Sequence, residues 1–255
     1  MAERPVRRWS GLALLAGLLL LWEASATWWV SSTNWPRLSA VAVALVQGLR
    51  TGELLEVFAS SLYRMAAGYA AGSAVGVLTG LWLARHRWAR AALEPLIEFL
   101  RPIPIPAIVP PLILLLGVDD AMKIFVVAFS AFFPVLINTM AGVRAVDATL
   151  LDVARTFHHG RLGALWRVVL PASLPYILAG MRVSLALALI VTVVAEMIAG
   201  SAGIGYHIVT MQYAMRAGDM YAAIVLLAVT GYVLNRLILA LEQRTIHWYH
   251  RSGGA

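Results

Sequence analysis

The sequence contains no cysteine and few charged residues. None of its 255 residues is cysteine, which excludes disulfides, thiolate metal ligands and cysteine nucleophiles. Charged residues make up 13% of the chain, against about 25% in soluble domains. Hydrophobic residues make up 61%, and the mean hydropathy is +0.79. A water-soluble enzyme is therefore not expected, and disorder is excluded because it requires low hydrophobicity.

A phosphate-binding loop is also lacking. The single lysine, Lys123, is followed by isoleucine, so the chain has no Gly-x-x-x-x-Gly-Lys-Ser/Thr sequence. The chain therefore does not hydrolyse ATP alone, and any ATPase must be a separate chain. The net charge of +7 comes from too few and too scattered residues to form a nucleic-acid-binding stripe, so no nucleic-acid partner is expected.

What the chain does have is six long apolar runs, each close to the length that crosses a membrane as a helix. They predict an all-α fold, a polytopic membrane helix bundle that forms one domain over residues 1–255. An amphipathic helix is expected within residues 35–55. The predicted spans cover about residues 9–30, 57–84, 95–117, 121–143, 174–198 and 220–241.

The arginines predict the orientation of these spans. Twelve of the 20 basic residues fall in the segments that are cytoplasmic if the N-terminus is cytoplasmic, and four fall in the outer segments, Lys123 among them. This bias fits the positive-inside rule and predicts two cytoplasmic termini. The first span has a second interpretation as a signal peptide, cleaved after Ala24-Ser25-Ala26. Glu23 beside that site and the interfacial pair Trp28-Trp29 favour a retained span.

The longest predicted cytoplasmic connection covers residues 145–171. Leu150, Val153 and Phe157 form an apolar stripe on a first short helix, and Leu162 and Trp166 belong to a stripe on a second. Pro171 at its end fits the start of the next helix. Such a pair has no core of its own, so it must pack on the membrane domain or dock into a partner. An ordinary surface loop is the alternative.

The spacing in this loop resembles the coupling loop of ATP-binding-cassette importer permeases. That family's pattern is Glu-Ala-Ala, three residues, Gly, nine residues, Ile, one residue and Leu-Pro. Here Asp152 replaces Glu, and His158 replaces a turn glycine that adopts positive φ, with Gly160 expected to share the bend. The resemblance implies these ATPase-coupling residues: Asp152, Val153, Ala154, Arg155, Thr156, Phe157, His158, Gly160, Arg161, Leu170 and Pro171.

Further motifs resemble the nitrate, sulfonate, taurine and bicarbonate branch of these importers. They include Arg101-Pro-Ile-Pro104, Phe132-Phe133-Pro134 and Ala195-Glu196-Met197. The resemblance implies a type I importer permease in the bacterial inner membrane that works by alternating access. Its expected partners are a second permease copy in a homodimer, two ATPase subunits that bind ATP and Mg, a periplasmic or lipid-anchored binding protein, and membrane lipid. No cofactor is expected in this chain.

Several polar and aromatic residues within the spans are candidates for function. Ionisable groups there are costly and usually face an interior or a cavity. Glu196 is expected to pair with Arg64 or Arg182, and these three are the predicted buried charges. Prolines 102 to 111 form either a flexible pathway element or a fixed kink. The pathway candidates are Ser130, Phe132, Phe133, Asn138, Thr139, Thr192, Glu196 and Met197. No metal site is expected, because His158, His159, His247 and His250 have no nearby carboxylate or cysteine partners.

The predicted solute is an aliphatic sulfonate or taurine. Nitrate, bicarbonate and vitamin-precursor heterocycles are the alternatives within the same importer class. An ATP-independent secondary transporter or channel is the alternative of another class, but it would need coupling-ion carboxylates in the spans, and only Glu196 lies deep. A membrane enzyme would need a cluster of catalytic residues, which the sequence lacks. The chain is therefore expected to be a non-catalytic transport subunit.

Overall fold

A computed structural model describes residues 6–30 and 32–246 of the protein, and they form helices joined by short turns, with no strand among them. Two π-helical turns, Ser25–Trp29 and Leu165–Val169, interrupt the α-helices. In chain order the α-helices are α1 (Val6–Ala24), α2 (Leu38–Thr51), α3 (Glu53–Arg85), α4 (Arg87–Leu100), α5 (Ile105–Leu116), α6 (Asp120–Arg144), α7 (Ala148–Thr156), α8 (Arg161–Ala164), α9 (Leu170–Ala199), α10 (Ile204–Tyr213) and α11 (Ala217–Thr245).

Helices α3, α6 and α9 form the centre of the bundle. A stripe of glycines at every fourth position lets α3 run parallel to α6 at very short range. A Cβ on Gly68 would lie 2.6 Å from the Cβ of Val127, and a Cβ on Gly80 would lie 2.7 Å from the Cβ of Thr139. A four-residue glycine spacing by itself permits close packing on a helix of the same chain or of another subunit. In the structure this stripe packs against α6 of the same chain.

Helix α9 packs antiparallel to α6 on the other side. Gly142 of α6 lies against Tyr176, and Gly180 of α9 lies against Asn138 and the carbonyl of Pro134. These contacts surround an apolar core built from α3, α5, α6 and α9. The close approach leaves no room for side chains at the crossing points, so the three helices form the most tightly packed part of the chain.

Four helices of the described residues are long and apolar enough to cross a membrane: α3, α6, α8–α9 taken together, and α11. Helices α4 and α5 count as a fifth only as a bent pair, because they meet at 99°. The predicted third span, residues 95–117, is thus not one straight helix. Pro102 and Pro104 disfavour helical geometry in the residues before them, which explains the break at residues 101–104. The six-span count stays a prediction.

The outer helices are held by polar and aromatic contacts. Glu23, near the end of α1, accepts hydrogen bonds from the backbone N–H and the hydroxyl of Ser39 at 3.0 and 2.8 Å. Trp22, Trp35 and Tyr221 pack ring against ring and join α1 to α11. The expected amphipathic helix is α2, which buries Val41 against the bundle.

The bundle has two distinct ends. The "Glu196 end" holds the start of α6, the end of α9 and the turn into α10. The "loop end" holds Arg144, the last residue of α6, and Leu170, the first residue of α9, with residues 145–169 between them. These two names are used below.

Candidate functional site

A cleft of about 450 Å³ opens between the α4–α5 bend, α6 and α9. Its polar side chains are Arg101, Ser130 and Asn138, and no carboxylate lines it. Two rings, Phe129 and Phe133, stack edge to face with centroids 5.0 Å apart in its wall. The remaining lining residues are Ile103, Pro104, Ile105, Pro134, Ile137, Val183, Leu187 and Val191.

The cleft lies about midway between the two ends of the bundle. Helix α5 leads from the cleft toward the Glu196 end, and its 12 residues span about 18 Å at 1.5 Å per residue. On α6, Ser130 and Asn138 fall near the middle of the 25 residues. The hydrocarbon core of a bilayer is about 30 Å thick. A solute in this cleft would therefore stand near half the depth of the spans.

Four of the eight predicted pathway residues lie at or next to the cleft, and the other four lie elsewhere. Ser130, Phe133 and Asn138 line the cleft, and Phe132 packs edge-on against Phe133 with ring centroids 5.1 Å apart. Thr139 is buried against α3 at Gly80, and Thr192 donates to the carbonyl of Ala188 at 2.8 Å. Glu196 is buried at the Glu196 end, and Met197 lies on an exposed surface. The structure thus brings only part of the predicted set together.

Sequence reasoning did not single out Arg101 as a site residue. It lies at the bend, it is exposed, and no acidic side chain among residues 6–30 and 32–246 forms an ion pair with it. One signal was present, because Arg101 falls inside the predicted third span, where an ionisable group is by default a candidate for function.

Glu196 is the buried centre of a polar cluster, and the exposed residue Asp120 lies at the edge of this cluster. The carboxylate of Glu196 is 0% exposed and accepts from Nη1 of Arg64 at 2.8 Å, from the hydroxyl of Ser61 at 2.7 Å and from the backbone N–H of Gly205 at 3.0 Å. Nε of Arg64 donates to Asp120 at 2.7 Å. Of the two predicted partners, Arg64 is the one in contact.

The turn after α9 is shaped around this carboxylate. Gly203 has a φ of +106°, and a Cβ there would collide with the carboxylate of Glu196. The hydroxyl of Ser61 accepts the backbone N–H of Ile204 at 2.7 Å. The cluster therefore ties α3, α6, α9 and the start of α10 into one unit, and it leaves no room for a solute at Glu196.

Two other basic residues, Lys123 and Arg182, can be compared with the sequence predictions. Lys123 was assigned to an outer segment, but it lies in α6 and is 1% exposed. Its ammonium group is attracted by Asp120 and Glu196 and repelled by Arg64, and it forms no ion pair within the described residues. Arg182 forms an ion pair with Glu242 of α11 and does not contact Glu196.

The predicted coupling loop forms two helices that begin and end with defined caps. Asp147 caps α7 by accepting the backbone N–H of Thr149 at 2.8 Å, and this bond lowers the pKa of the Asp147 carboxyl below its ordinary value. At the other end of α7, His158 donates its N–H to the carbonyl of Arg155, and His159 donates to that of Ala154.

This pair of bonds is a Schellman motif, whose left-handed position is usually glycine. His158 occupies that position with a φ of +54°, so the family's turn glycine has a geometric explanation. Gly160 does not share the bend as expected. It has a φ of −61° and serves as the cap residue before α8.

The second loop helix runs into α9 without a break. The N–H of Leu170 donates to the carbonyl of Leu165, five residues earlier, and this closes a π-helical turn. Pro171 lies in the first turn of α9, as predicted, although no loop separates α9 from the turn before it. The extra residue in the turn accommodates a proline that lacks its N–H, so residues 161–199 form one continuous helical element.

Much of the loop's apolar surface is uncovered in this chain. Phe157 is 72% exposed and Trp166 is 66% exposed, and Leu162 is similarly open, whereas Ala154 is buried. Ring-sized apolar side chains clustered at one tip are typical of a protein-docking surface. Asp152 and Arg155 pair with each other at 2.8 Å on the exposed face of α7.

No group of three or more His, Asp or Glu side chains within the described ranges is arranged to hold a metal ion. His158 and His159 lie at the α7 turn. His247 and His250 lie outside the described residues.

Comparison with known proteins shows the family to which the chain is similar. Residues 72–247 match the family described as the binding-protein-dependent transport system inner membrane component. The chain is 34% identical to the putative aliphatic sulfonates transport permease protein SsuC of Bacillus subtilis (strain 168), over 96% of this chain and 89% of that protein.

Two further relatives carry other solute names. The taurine transport system permease protein TauC of Escherichia coli (strain K12) is 29% identical, over 82% of this chain and 76% of its own length. The bicarbonate transport system permease protein CmpB of Synechococcus elongatus (strain ATCC 33912 / PCC 7942 / FACHB-805) is 32% identical, over 77% of this chain and 70% of its own length.

A solved structure has the same fold. A chain of the MetNI methionine ABC transporter in an inward-facing conformation superposes with a TM-score of 0.67 at 15% identity. The match covers 75% of this chain and 95% of that one.

Proposed function

The chain belongs to the family of binding-protein-dependent transport system inner membrane components, and we propose that it is the permease subunit of an ATP-driven importer for an aliphatic sulfonate or taurine. It would receive the solute from a binding protein at the Glu196 end and pass it through the bundle by alternating access. The subunit itself performs no catalysis. ATP and Mg would be bound by two separate ATPase subunits.

The observation that carries this proposal is the apolar tip of the loop. Phe157, Leu162 and Trp166 lie exposed at the loop end, while the caps at Asp147 and His158 hold the two helices in a defined shape. A preformed apolar surface that no other described residue covers suits a second protein. An ATPase subunit is the partner that fits an importer whose permease has no phosphate-binding loop.

The connection from α8 to α9 supports a mechanical role. Because residues 161–199 are one continuous helical element, a displacement of α8 is transmitted along α9. Val183, Leu187 and Val191 of α9 line the mid-depth cleft. The π-helical turn at Leu165–Val169 is a point at which the element can bend. Movement of the loop by the ATPase would thereby open and close the cleft.

The solute is proposed from the relatives. SsuC and TauC are named for aliphatic sulfonates and taurine. The second candidate is bicarbonate, because CmpB is similar to this chain at nearly the same level of identity. All three names describe small molecules that carry an oxyanion group, and the cleft has an arginine and no carboxylate.

Further features of the assembly belong to the same proposal. A second copy of this chain would complete the pathway, since twofold homodimers are the commonest closed assemblies. Both termini would be cytoplasmic, which places the loop end in the cytoplasm, as the distribution of arginine predicts.

Co-purification tests the ATPase contact. The chain is expressed together with a candidate ATPase of the same transporter class, and the complex is isolated through a tag on the permease. Phe157→Ser and Trp166→Ser, singly and together, are expected to reduce the bound ATPase stepwise because each removes exposed apolar area from the contact.

The control is Tyr213→Ser, which removes an aromatic side chain that is 83% exposed at the Glu196 end. It should leave ATPase binding unchanged. If no ATPase accompanies the wild-type chain, or if deleting residues 150–166 leaves the ATPase bound, the proposal is wrong.

A further inference from the structure

We propose that Arg101 forms an anion-binding station at mid-depth in the pathway, where it holds the oxyanion group of the solute while the apolar walls accept the rest. The inference rests on the proposed function, which it deepens by assigning a residue to solute recognition. It differs from the role predicted for Glu196, whose carboxylate is already occupied by donors of the same chain.

Among the described residues, the side chain of Arg101 has no polar partner. Two other arginines of the bundle each contact a carboxylate, since Arg64 contacts Glu196 and Asp120, and Arg182 contacts Glu242. The guanidinium of Arg101 forms no ion pair or hydrogen bond within the described part of the chain, where only its backbone N–H has a partner, the carbonyl of Ile97. A guanidinium at mid-depth is costly unless it faces water or an anion.

The cleft is lined by charge of one sign. Arg101 is the one ionisable residue among its 13 lining residues. Helix α5 also starts in the cleft at Ile105, so the positive end of a 12-residue helix dipole adds to the same field. A cleft with walls of low dielectric constant and one sign of charge concentrates the opposite ion.

The other groups of the cleft suit a small solute with an oxyanion group and a short alkyl chain. Guanidinium groups bind oxyanions through paired N–H donors. Asn138 uses one amide N–H on the carbonyl of Pro134 at 2.8 Å, which leaves its second N–H available. The surrounding Ile, Val, Leu and Phe side chains suit a short alkyl chain. The cleft volume of about 450 Å³ lies in the range of ligand pockets.

The experiment uses the absence of cysteine, because a single introduced thiol has no competitor in this chain. Ile137→Cys on α6 and Leu187→Cys on α9 each place a thiol in the cleft while keeping Arg101. In the complete transporter, each thiol is modified with two reagents of similar size. One methanethiosulfonate carries an ethylsulfonate group, and the other carries an ethyltrimethylammonium group.

The measured quantity is the modification rate of the sulfonate reagent divided by that of the cationic reagent. With Arg101 present, we expect this ratio to be roughly tenfold higher in the cleft than on a free thiol in solution. Arg101→Gln should abolish this increase at both positions, and Arg101→Lys should retain most of it. The matched control is Arg87→Gln at the start of α4, outside the cleft, which should leave the ratio unchanged.

A ratio that does not depend on residue 101 overturns the inference. So does a lack of modification at both positions, because a solute station must be open to small molecules. Uptake of radiolabelled ethanesulfonate separates this inference from the proposed function. An Arg101-dependent ratio without any uptake contradicts the proposed solute alone, whereas uptake with an Arg101-independent ratio contradicts the anion station alone.

Discussion

Arg64 and Arg101 are both arginines inside the bundle, but their surroundings are opposite. Arg64 is 5% exposed and donates to Glu196, Asp120 and the carbonyl of Ala202. Arg101 is exposed at the edge of a cleft and has no acceptor within the described residues. Sequence alone treats the two as similar intramembrane charges.

The difference shows what separates a structural charge from an available one. A buried charge whose donors and acceptors are all matched holds helices together, and removing one residue of the cluster leaves the other polar groups uncompensated. A charge without a partner in its own chain is free to bind a ligand. The number of unmatched donors, rather than the depth in the membrane, therefore indicates which arginine serves transport.

Loss of Glu196 should produce the largest effect. Glu196→Ala leaves the guanidinium of Arg64 and the hydroxyl of Ser61 without their acceptor, so we expect a loss of about 3–5 kcal/mol in the free energy of unfolding. Glu196→Gln should be milder, because it keeps the shape and one acceptor. The measurement is denaturant or thermal unfolding of the purified transporter in detergent.

Arg101→Gln in the same assay sharpens the comparison. It should change stability by less than about 0.5 kcal/mol, as expected for an exposed side chain without partners. If Arg101→Gln were as destabilising as Glu196→Ala, the distinction between the two arginines would be wrong.

Packing between α3 and α6 should rank next. Gly72→Ala places a Cβ against the backbone of Ala128, whose Cα would lie 2.9 Å away, so the helices must separate at a cost of about 1–3 kcal/mol. Gly218→Ala is the control, because its nearest contact is Ala44 at 3.9 Å. Equal stability of the two variants would contradict the close contact that positions Arg64.

A substitution at His158 tests the structure of the loop end. A left-handed residue other than glycine costs about 1–2 kcal/mol, so His158→Gly should stabilise the loop by about 1 kcal/mol. Slower hydrogen exchange of the amides in α7 would report it. His159→Gly is the control at a neighbouring position without positive φ, and slower exchange in that variant would contradict the explanation.

The smallest effect concerns pH. Because the cap bond to Thr149 lowers the pKa of Asp147 in the folded loop, its stabilisation is present above the unfolded pKa of about 3.9 and is lost as pH falls through the folded value. Protection of α7 amides should therefore not change between pH 6 and 8 through this group. Asp147→Asn should keep the cap and Asp147→Ala should weaken it. Equal protection in both variants would show that the cap contributes nothing.

Several features were predictable from local sequence. The loop helices, the glycine stripe and the burial of Glu196 follow from spacing and hydrophobicity, which act over a few residues. The positive φ at His158 was also expected, from the position it shares with a family glycine.

Other features depend on how helices rotate against each other, which a single sequence does not report. The choice of Arg64 over Arg182 as the partner of Glu196 is one example. Burial of Lys123 is another, because its acidic neighbours come from the start of α6 and the end of α9. The prolines predict a break in the helix at residues 101–104, but they do not predict its angle of 99°. This bend brings Arg101 to the cleft.

The most direct test of the account is uptake into sealed proteoliposomes that contain this chain, its ATPase and its binding protein. We predict that radiolabelled ethanesulfonate accumulates only when ATP is supplied on the ATPase side, and that Phe157→Ser with Trp166→Ser abolishes the accumulation. Accumulation driven by a proton or sodium gradient without ATP would contradict the account, because it would identify a secondary transporter.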